Sequence, residues 1–292
     1  MTTTSGDTFH IGPALLFCPA DRPERYTKAS ERADAVIIDL EDAVGPADRP
    51  AAREHLAEYF GPGGAAGSSS EAGAALRRRT VVRINPATSA DFEADLRMLA
   101  QTQVEWVMLA KAESAQDVAA AAEGLPGAAV LALCETPRGV ASAAEIAAHP
   151  ATAGLMWGAE DLVAALGGTS SRRADGEYRD VARLARAQVL LAAGAFGKVG
   201  IDAIYADFTD EEGLHAEALD AVASGWSAKA CIHPAQVPVI RRAYAPTAEE
   251  LEYAQSLLAE VEKHSGVFQF RGAMVDTPLI LHAERTVRRA GS

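Results

Sequence analysis

The sequence predicts an α/β chain folded as a (β/α)8 TIM barrel with a C-terminal helical, lid-like extension, and three observations carry that expectation. Eight short apolar runs recur between residues 14 and 232, alternating with stretches of helical spacing. Several runs are apolar at successive positions, as in strands buried on both faces of a parallel sheet. The Gly-x-Gly-x-x-Gly turn that would follow the first strand of an open dinucleotide-binding sheet is missing. A length of 292 residues suits one such barrel plus an appendage.

The first strand is expected at residues 14–18, and Pro19-Ala20-Asp21-Arg22-Pro23 turns the chain into a helix carrying Arg25, Lys28 and Arg32. The β-branched run at 35–42 is the second. A helix over about 46–59 runs into residues 61–75, too rich in Gly and Ser to pack a core, which read as a mobile surface insertion. The third strand, near 80–85, is ended by Pro86, and Ser89 is a plausible N-cap for a helix with Phe92, Leu96 and Leu99 on one face. Residues 106–111 and 129–135 form the fourth and fifth strands, with a helix to Glu123 between them. Pro137 and Gly139 stop the fifth, and the sixth lies at 154–158. After a polar loop at 167–175, a helix over about 178–196 leads to the seventh strand at 201–206. A helix through Leu214, Ala218 and Val222 leads to the eighth at 227–232, closed by His233-Pro234. Beyond Tyr244 the repeat stops. A helix over 247–264, an irregular stretch to Pro278 and a basic helix follow, so residues 1–244 read as the catalytic barrel and 245–292 as a lid or oligomer extension.

A formal charge of −13 argues against a nucleic-acid partner, since phosphate binding needs clustered cations and the one cluster, Arg77-Arg78-Arg79, reads as a solvated loop. The three widely spaced cysteines, Cys18, Cys134 and Cys231, sit in strand-like runs and read as core residues of a reducing compartment. The first ten residues lack the basic start and apolar core of a signal peptide, and no run approaches the ~20 apolar residues of a membrane span. A cytoplasmic, soluble protein with no membrane partner is expected.

Barrels of this kind place their chemistry at the C-terminal ends of the strands. Those ends carry Asp39, Glu41 and Asp42; Arg83 and Asn85; Lys111; Glu135 and Arg138; Glu160 and Asp161; Asp207; and His233. Clustered acids with no Cys–His ligand set suit a hard divalent cation such as Mg²⁺, and the carboxylate-tipped fifth and sixth strands are its natural holders. The strand period puts Asp39 with Glu41, and Arg83 with Asn85, on common faces. Arg83 beside a metal suits a planar carboxylate on the substrate, or else neutralises Glu41 or Asp42. His233 reads as a rim histidine bonded to its loop. Nothing near Lys111 or Lys229 marks the depressed pKa of a Schiff-base lysine.

Taken together, residues 15–25 (LLFCPADRPER), 38–44 (IDLEDAV), 83–86 (RINP), 135–139 (ETPRG), 158–162 (GAEDL) and 229–234 (KACIHP) resemble, in matching order, the citrate lyase β-subunit-like CoA-ester lyases of the HpcH/HpaI aldolase superfamily, relatives of malyl-CoA lyase. The resemblance implies a Mg²⁺-dependent barrel that cleaves or forms a carbon–carbon bond between an acyl-CoA and a 2-oxo acid, as with malyl- or citramalyl-CoA. It implies Glu135 and Asp161 as metal ligands, with Glu135 also at the substrate, and Arg83 as the holder of the oxo-acid carboxylate. It likewise implies Arg22 and Lys28 near the CoA phosphates. Asp276, in Ala273-Met274-Val275-Asp276, matches a tail aspartate that reaches a neighbouring subunit's site, so a homo-oligomer, trimer or hexamer, is implied with it. Asp276, Arg83 and Glu41 are the expected catalytic set. Cys18 and Ala20 depart from the Val-Pro-Gly-Asp run of the family's first motif, which bears on CoA affinity. Three other readings stay open: a metal-dependent aldolase on free hydroxy-oxo acids, a thioesterase on the same CoA ester, and a non-catalytic β subunit of a citrate lyase-like complex.

Overall fold

A computed structural model describes residues 11–264 and 266–291. Met1–His10, whose sequence bears on the signal-peptide reading, lies outside them. The chain divides into two compact units, residues 1–240 and 241–292.

The first unit is a closed parallel barrel in sequential order, β1 Ala14–Pro19, β2 Ala35–Asp39, β3 Thr80–Ile84, β4 Trp106–Leu109, β5 Ala129–Cys134, β6 Thr152–Trp157, β7 Val199–Asp202 and β8 Ala228–Cys231, with β8 pairing back onto β1. The helices between them are α1 Tyr26–Arg32, α2 Arg49–Phe60, α3 Glu71–Arg78, α4 Phe92–Leu99, α5 Ala115–Gly124, α6 Pro137–Ala141, α7 Ala143–Ala148, α8 Ala159–Ala165, α9 Asp180–Ala195 and α10 Glu211–Ser224. Alternate residues of each strand fill the barrel. Leu15, Ile37, Val81, Met108, Leu131, Leu133, Met156 and Ile201 pack there with the small Ala35, Ala228 and Ala230. Truncating one, Ile37→Ala for example, leaves a cavity in a close-packed core and costs about 2–5 kcal/mol. The other face of the strands packs on the helices, which explains the unbroken apolar runs.

Three local expectations need correction. Residues 61–75 are built in: Ala66 is fully buried, Ser70 caps α3 by accepting from the Gly73 N–H at 3.1 Å, and α3 begins at Glu71. Arg77 is no solvated loop charge. Its Nη1 donates to the carbonyls of Ala66 (2.6 Å) and Ser68 (3.0 Å), stapling the Gly/Ser stretch to α3. Ser89 is not the cap of α4 either; Asp91 holds that position, and Ser89, two residues earlier, accepts from the Asp91 N–H through its Oγ.

Helix α11, Gln236–Tyr244, runs past the division between the units. The second unit contains α12 Ala248–Val261, a hairpin of β9 Phe268–Phe270 with β10 Ala273–Val275, and α13 Thr277–Ala290. Thr247 and Glu250 form a capping box at the start of α12. Arg271 and Gly272, both at positive φ, make the two-residue turn whose twist suits a hairpin. Leu257, Val275 and Ala283 are its buried centre.

Candidate active site at the mouth of the barrel

Strand register builds the first half of the site. Asp39 and Arg83 are lateral partners in the β2–β3 pairing, so their side chains leave the same face at the same height. Arg83 Nε donates to Asp39 Oδ1 (2.7 Å) and Nη2 to Oδ2 (2.6 Å), a two-pronged ion pair with Arg83 only 7% and Asp39 1% exposed. Burial works against the Arg83 charge, but the bonds to Asp39 and the nearby Glu41 outweigh it and hold the guanidinium above its ordinary pKa. Asp39 is itself fixed by the N–H groups of Glu41 and Ala43. Arg83 pairs with Glu41 as the alternative reading expected, but its principal partner is Asp39. Glu41 Oε2 stands 3.2 Å from Nη1 and Asp42 3.9 Å, both secondary to Asp39. Asp39 takes two of the five guanidinium hydrogens, which leaves donors for a further carboxylate.

Lys111 builds the second half. It follows β4 in the left-handed region, φ 48°, a conformation that costs a non-glycine residue about 1–2 kcal/mol. The turn aims its backbone N–H at Glu135 Oε1, 3.2 Å away. Its ammonium lies 2.5 Å from Glu41 Oε1, 3.3 Å from Asp42 Oδ2, 3.3 Å from Asp161 Oδ1 and 3.9 Å from Glu135 Oε1. Burial pulls this amine's pKa down, but the Glu41 bond and the surrounding carboxylates more than reverse it, so it stays charged. Four of the acids read from the strand ends thus meet around one cation. The sequence pattern placed Lys111 at a strand end and gave no sign of this central position.

Glu135 directly follows β5 and is almost completely buried, and that burial, reinforced by the Asp161 charge, pushes its carboxyl up to about 8. The room it occupies depends on Gly158 at the end of β6, where a Cβ would come within 2.8 Å of Glu135 Oε2 and 2.9 Å of its Cβ. Asp161 lies in the first turn of α8, where an acid is favoured by the helix dipole. Neighbouring Glu160 is tied down by Ser171 Oγ at 2.6 Å. Thr136 caps α6 and donates to Glu113 Oε1, joining the loops after β4 and β5.

Glu135 and Asp161 could hold a hard cation. Their oxygens face one point now taken by an ammonium, and Gly158 keeps a carboxylate cradle open that any side chain would fill. Among the described residues no three His, Cys, Asp or Glu side chains converge in ligand geometry. Two carboxylates completed by water and substrate oxygens is, however, the usual Mg²⁺ arrangement.

Arg22 and Lys28 lie outside this cluster. Arg22 is exposed in the turn after β1, its nearest acid Asp21 at 3.7 Å, and Lys28 is exposed on α1. Asp276 belongs to the second unit, where its Oδ1 caps α13 through the Leu279 N–H at 3.3 Å. His233 accepts from the Ala235 N–H and stacks on Phe208, the loop role expected of it. Lys229 is fully buried on the helix side of the sheet, bonded to Asp202 (3.0 Å), the Ala203 carbonyl (2.7 Å) and Glu217 (2.8 Å). Asp202 also receives Trp157 Nε1 and the Arg186 guanidinium. Lys229 is therefore a structural ion, with no nucleophilic role. The three cysteines are buried, and none forms a disulfide among the described residues.

A profile of the HpcH/HpaI aldolase/citrate lyase family matches residues 14–234, β1 through the end of β8. The chain belongs to the HpcH/HpaI aldolase/citrate lyase family. It is accordingly an enzyme of the carbon–carbon lyase class. Within that family it is 52% identical over 281 residues to the citrate lyase subunit beta-like protein of Mycobacterium tuberculosis (strain CDC 1551 / Oshkosh), covering 96% of each chain. It is 33% identical over 286 residues to the (3S)-malyl-CoA thioesterase of Cereibacter sphaeroides (strain ATCC 17025 / ATH 2.4.3), covering 96% of this chain and 95% of that one. The crystal structure of CitE from M. tuberculosis in complex with magnesium, acetoacetate and coenzyme A superposes with a TM-score of 0.84 at 51% identity, over 97% of this chain and 99% of that one. Among the described residues no helix is long and apolar enough to cross a membrane.

Proposed function

We propose that this enzyme is a Mg²⁺-dependent lyase that cleaves or forms a 3-hydroxyacyl-CoA, of the malyl- or citramalyl-CoA type, from an acyl-CoA and a 2-oxo acid. The observation that carries the reading is the convergence of Glu135, Asp161 and a buried, Asp39-braced Arg83 at one barrel mouth. The magnesium, acetoacetate and coenzyme A of the M. tuberculosis complex support the same ligand classes here. Glu135 and Asp161 would hold the metal, which when bound supplies Lewis-acid polarisation of a substrate oxygen. Arg83 keeps donors free for the oxo-acid carboxylate, and its bracing by Asp39 holds the guanidinium in one orientation, so that a bound substrate is aligned without reorganisation. Glu41, bonded to Lys111 and beside Arg83, keeps both cations in place. Arg22 and Lys28 are assigned to the CoA phosphates. Asp276, delivered by a neighbouring subunit of a homo-oligomer, is the acid/base for the α-carbon proton.

The test is incubation with Mg²⁺ and acetyl- or propionyl-CoA against glyoxylate, pyruvate and oxaloacetate, with products identified by mass. One pair should yield the condensed CoA ester; failure of every pair in protein that binds Mg²⁺ would sink the lyase reading. Mixing Asp276→Ala with Arg83→Ala subunits should restore activity. No recovery would place each site within one chain. The likeness to a malyl-CoA thioesterase favours a second outcome on the same ester, hydrolysis, which would appear as free hydroxy acid and CoA in place of an oxo acid and acyl-CoA.

A further inference from the structure

We propose that Lys111 is a built-in counter-cation that competes with the divalent metal for the same carboxylates and so sets the metal affinity of the site, an inference that rests on the Mg²⁺ reading above. Two of the four acids around its ammonium, Asp161 at 3.3 Å and Glu135 at 3.9 Å, are the residues assigned to the metal. A Mg²⁺ ion needs oxygens at about 2.0–2.1 Å. It cannot share those oxygens with an ammonium in this position.

The geometry also supplies the place to which Lys111 withdraws. Its other two partners, Glu41 and Asp42, follow β2, whereas Glu135 follows β5 and Asp161 lies after β6 in the first turn of α8. Lys111 stands between these pairs, at the end of β4, on a flexible four-carbon stem that is partly exposed. The contacts are unequal. The bond to Glu41, at 2.5 Å, is shorter than either contact on the metal side. Lys111 can therefore release Glu135 and Asp161 while remaining paired with Glu41 and Asp42. In the metal-free protein it supplies the positive charge around which these four acidic side chains gather; when metal enters, the positive charge is exchanged, not merely added.

The experiment is calorimetric titration of the metal-free protein with Mg²⁺, for wild type, Lys111→Met and Lys111→Arg. Removing a unit charge a few ångströms from a dication should tighten binding about tenfold or more even with water-like screening, so Lys111→Met should bind more tightly. Lys111→Arg keeps the charge and should stay within about threefold of wild type by the same reasoning. Thermal melting in chelator should show Lys111→Met less stable than wild type, with the difference removed by Mg²⁺. If Lys111→Met fails to fold, Lys111→Gln carries the same prediction with a polar head. Equal or weaker affinity in the neutral variants, with normal binding by wild type, overturns the competition alone. Absence of Mg²⁺ binding by wild type overturns the metal reading and the competition together.

Discussion

Replacing Glu135 with glutamine tests the electrostatics of the barrel mouth directly, because the carboxyl is buried and its neighbours are known. Burial and Asp161 push its pKa from the ordinary 4.5 to about 8 in the folded chain. Between those values the native state binds more protons than the unfolded state, so the group's contribution makes stability fall as pH rises. At about 1.4 kcal/mol per pH unit, the span from 4.5 to about 8 amounts to about 5 kcal/mol, of which about 3 kcal/mol has been incurred at pH 7. Glutamine keeps the shape and cannot ionise. Urea unfolding in chelator at pH 5, 7 and 8.5 should therefore show Glu135→Gln close to wild type at pH 5 and progressively more stable above it. Mg²⁺ should reverse the order at pH 8.5, because only the ionised carboxylate can ligate it. Parallel stability curves for the two proteins across this range would refute the reasoning, and so would a wild type that gains on the variant as pH rises without metal.

Gly158→Ala places a methyl 2.8 Å from Glu135 Oε2, so Mg²⁺ affinity measured by calorimetry should fall about tenfold or more while thermal stability drops by only about 1–2 kcal/mol. Asp202→Asn leaves Lys229 and Arg186 without their shared buried carboxylate and should cost about 3–5 kcal/mol in chemical denaturation at pH 7. Asp202 is buried, but Lys229 and Arg186 overcome that penalty and hold it down to about 2, below the ordinary 3.8. It thus contributes about 2 kcal/mol above pH 4 that disappears as pH falls toward 2, and acid unfolding of the variant should lack this component. Arg83→Lys keeps the charge but loses the two-pronged bond to Asp39. The KM for the oxo acid should rise at least about tenfold, with a smaller change for the acyl-CoA, and equal effects on both would remove Arg83 from its carboxylate role.

By itself the sequence determined the architecture and the inventory of the mouth. Apolar runs such as Ala35–Asp39 and Ala129–Cys134, each followed by helical spacing, have few ways to bury both faces other than a parallel barrel, so eight strands could be counted and their C-terminal residues read off. Arg83, Glu41, Glu135 and Asp161 were legible for that reason. Tertiary structure alone decided which of them meet. A strand's period says which face a residue leaves, but the partner across the sheet depends on register, and register pairs Asp39 with Arg83 and Asp202 with Lys229. The same holds for Lys111, whose place among four carboxylates follows from a left-handed turn and from β4 lying between the strands that supply them. No local pattern encodes either. Arg77 shows the limit on the outer surface: its charge is plain in the sequence, but the two carbonyls it holds become neighbours only when the Gly/Ser stretch folds back over α3.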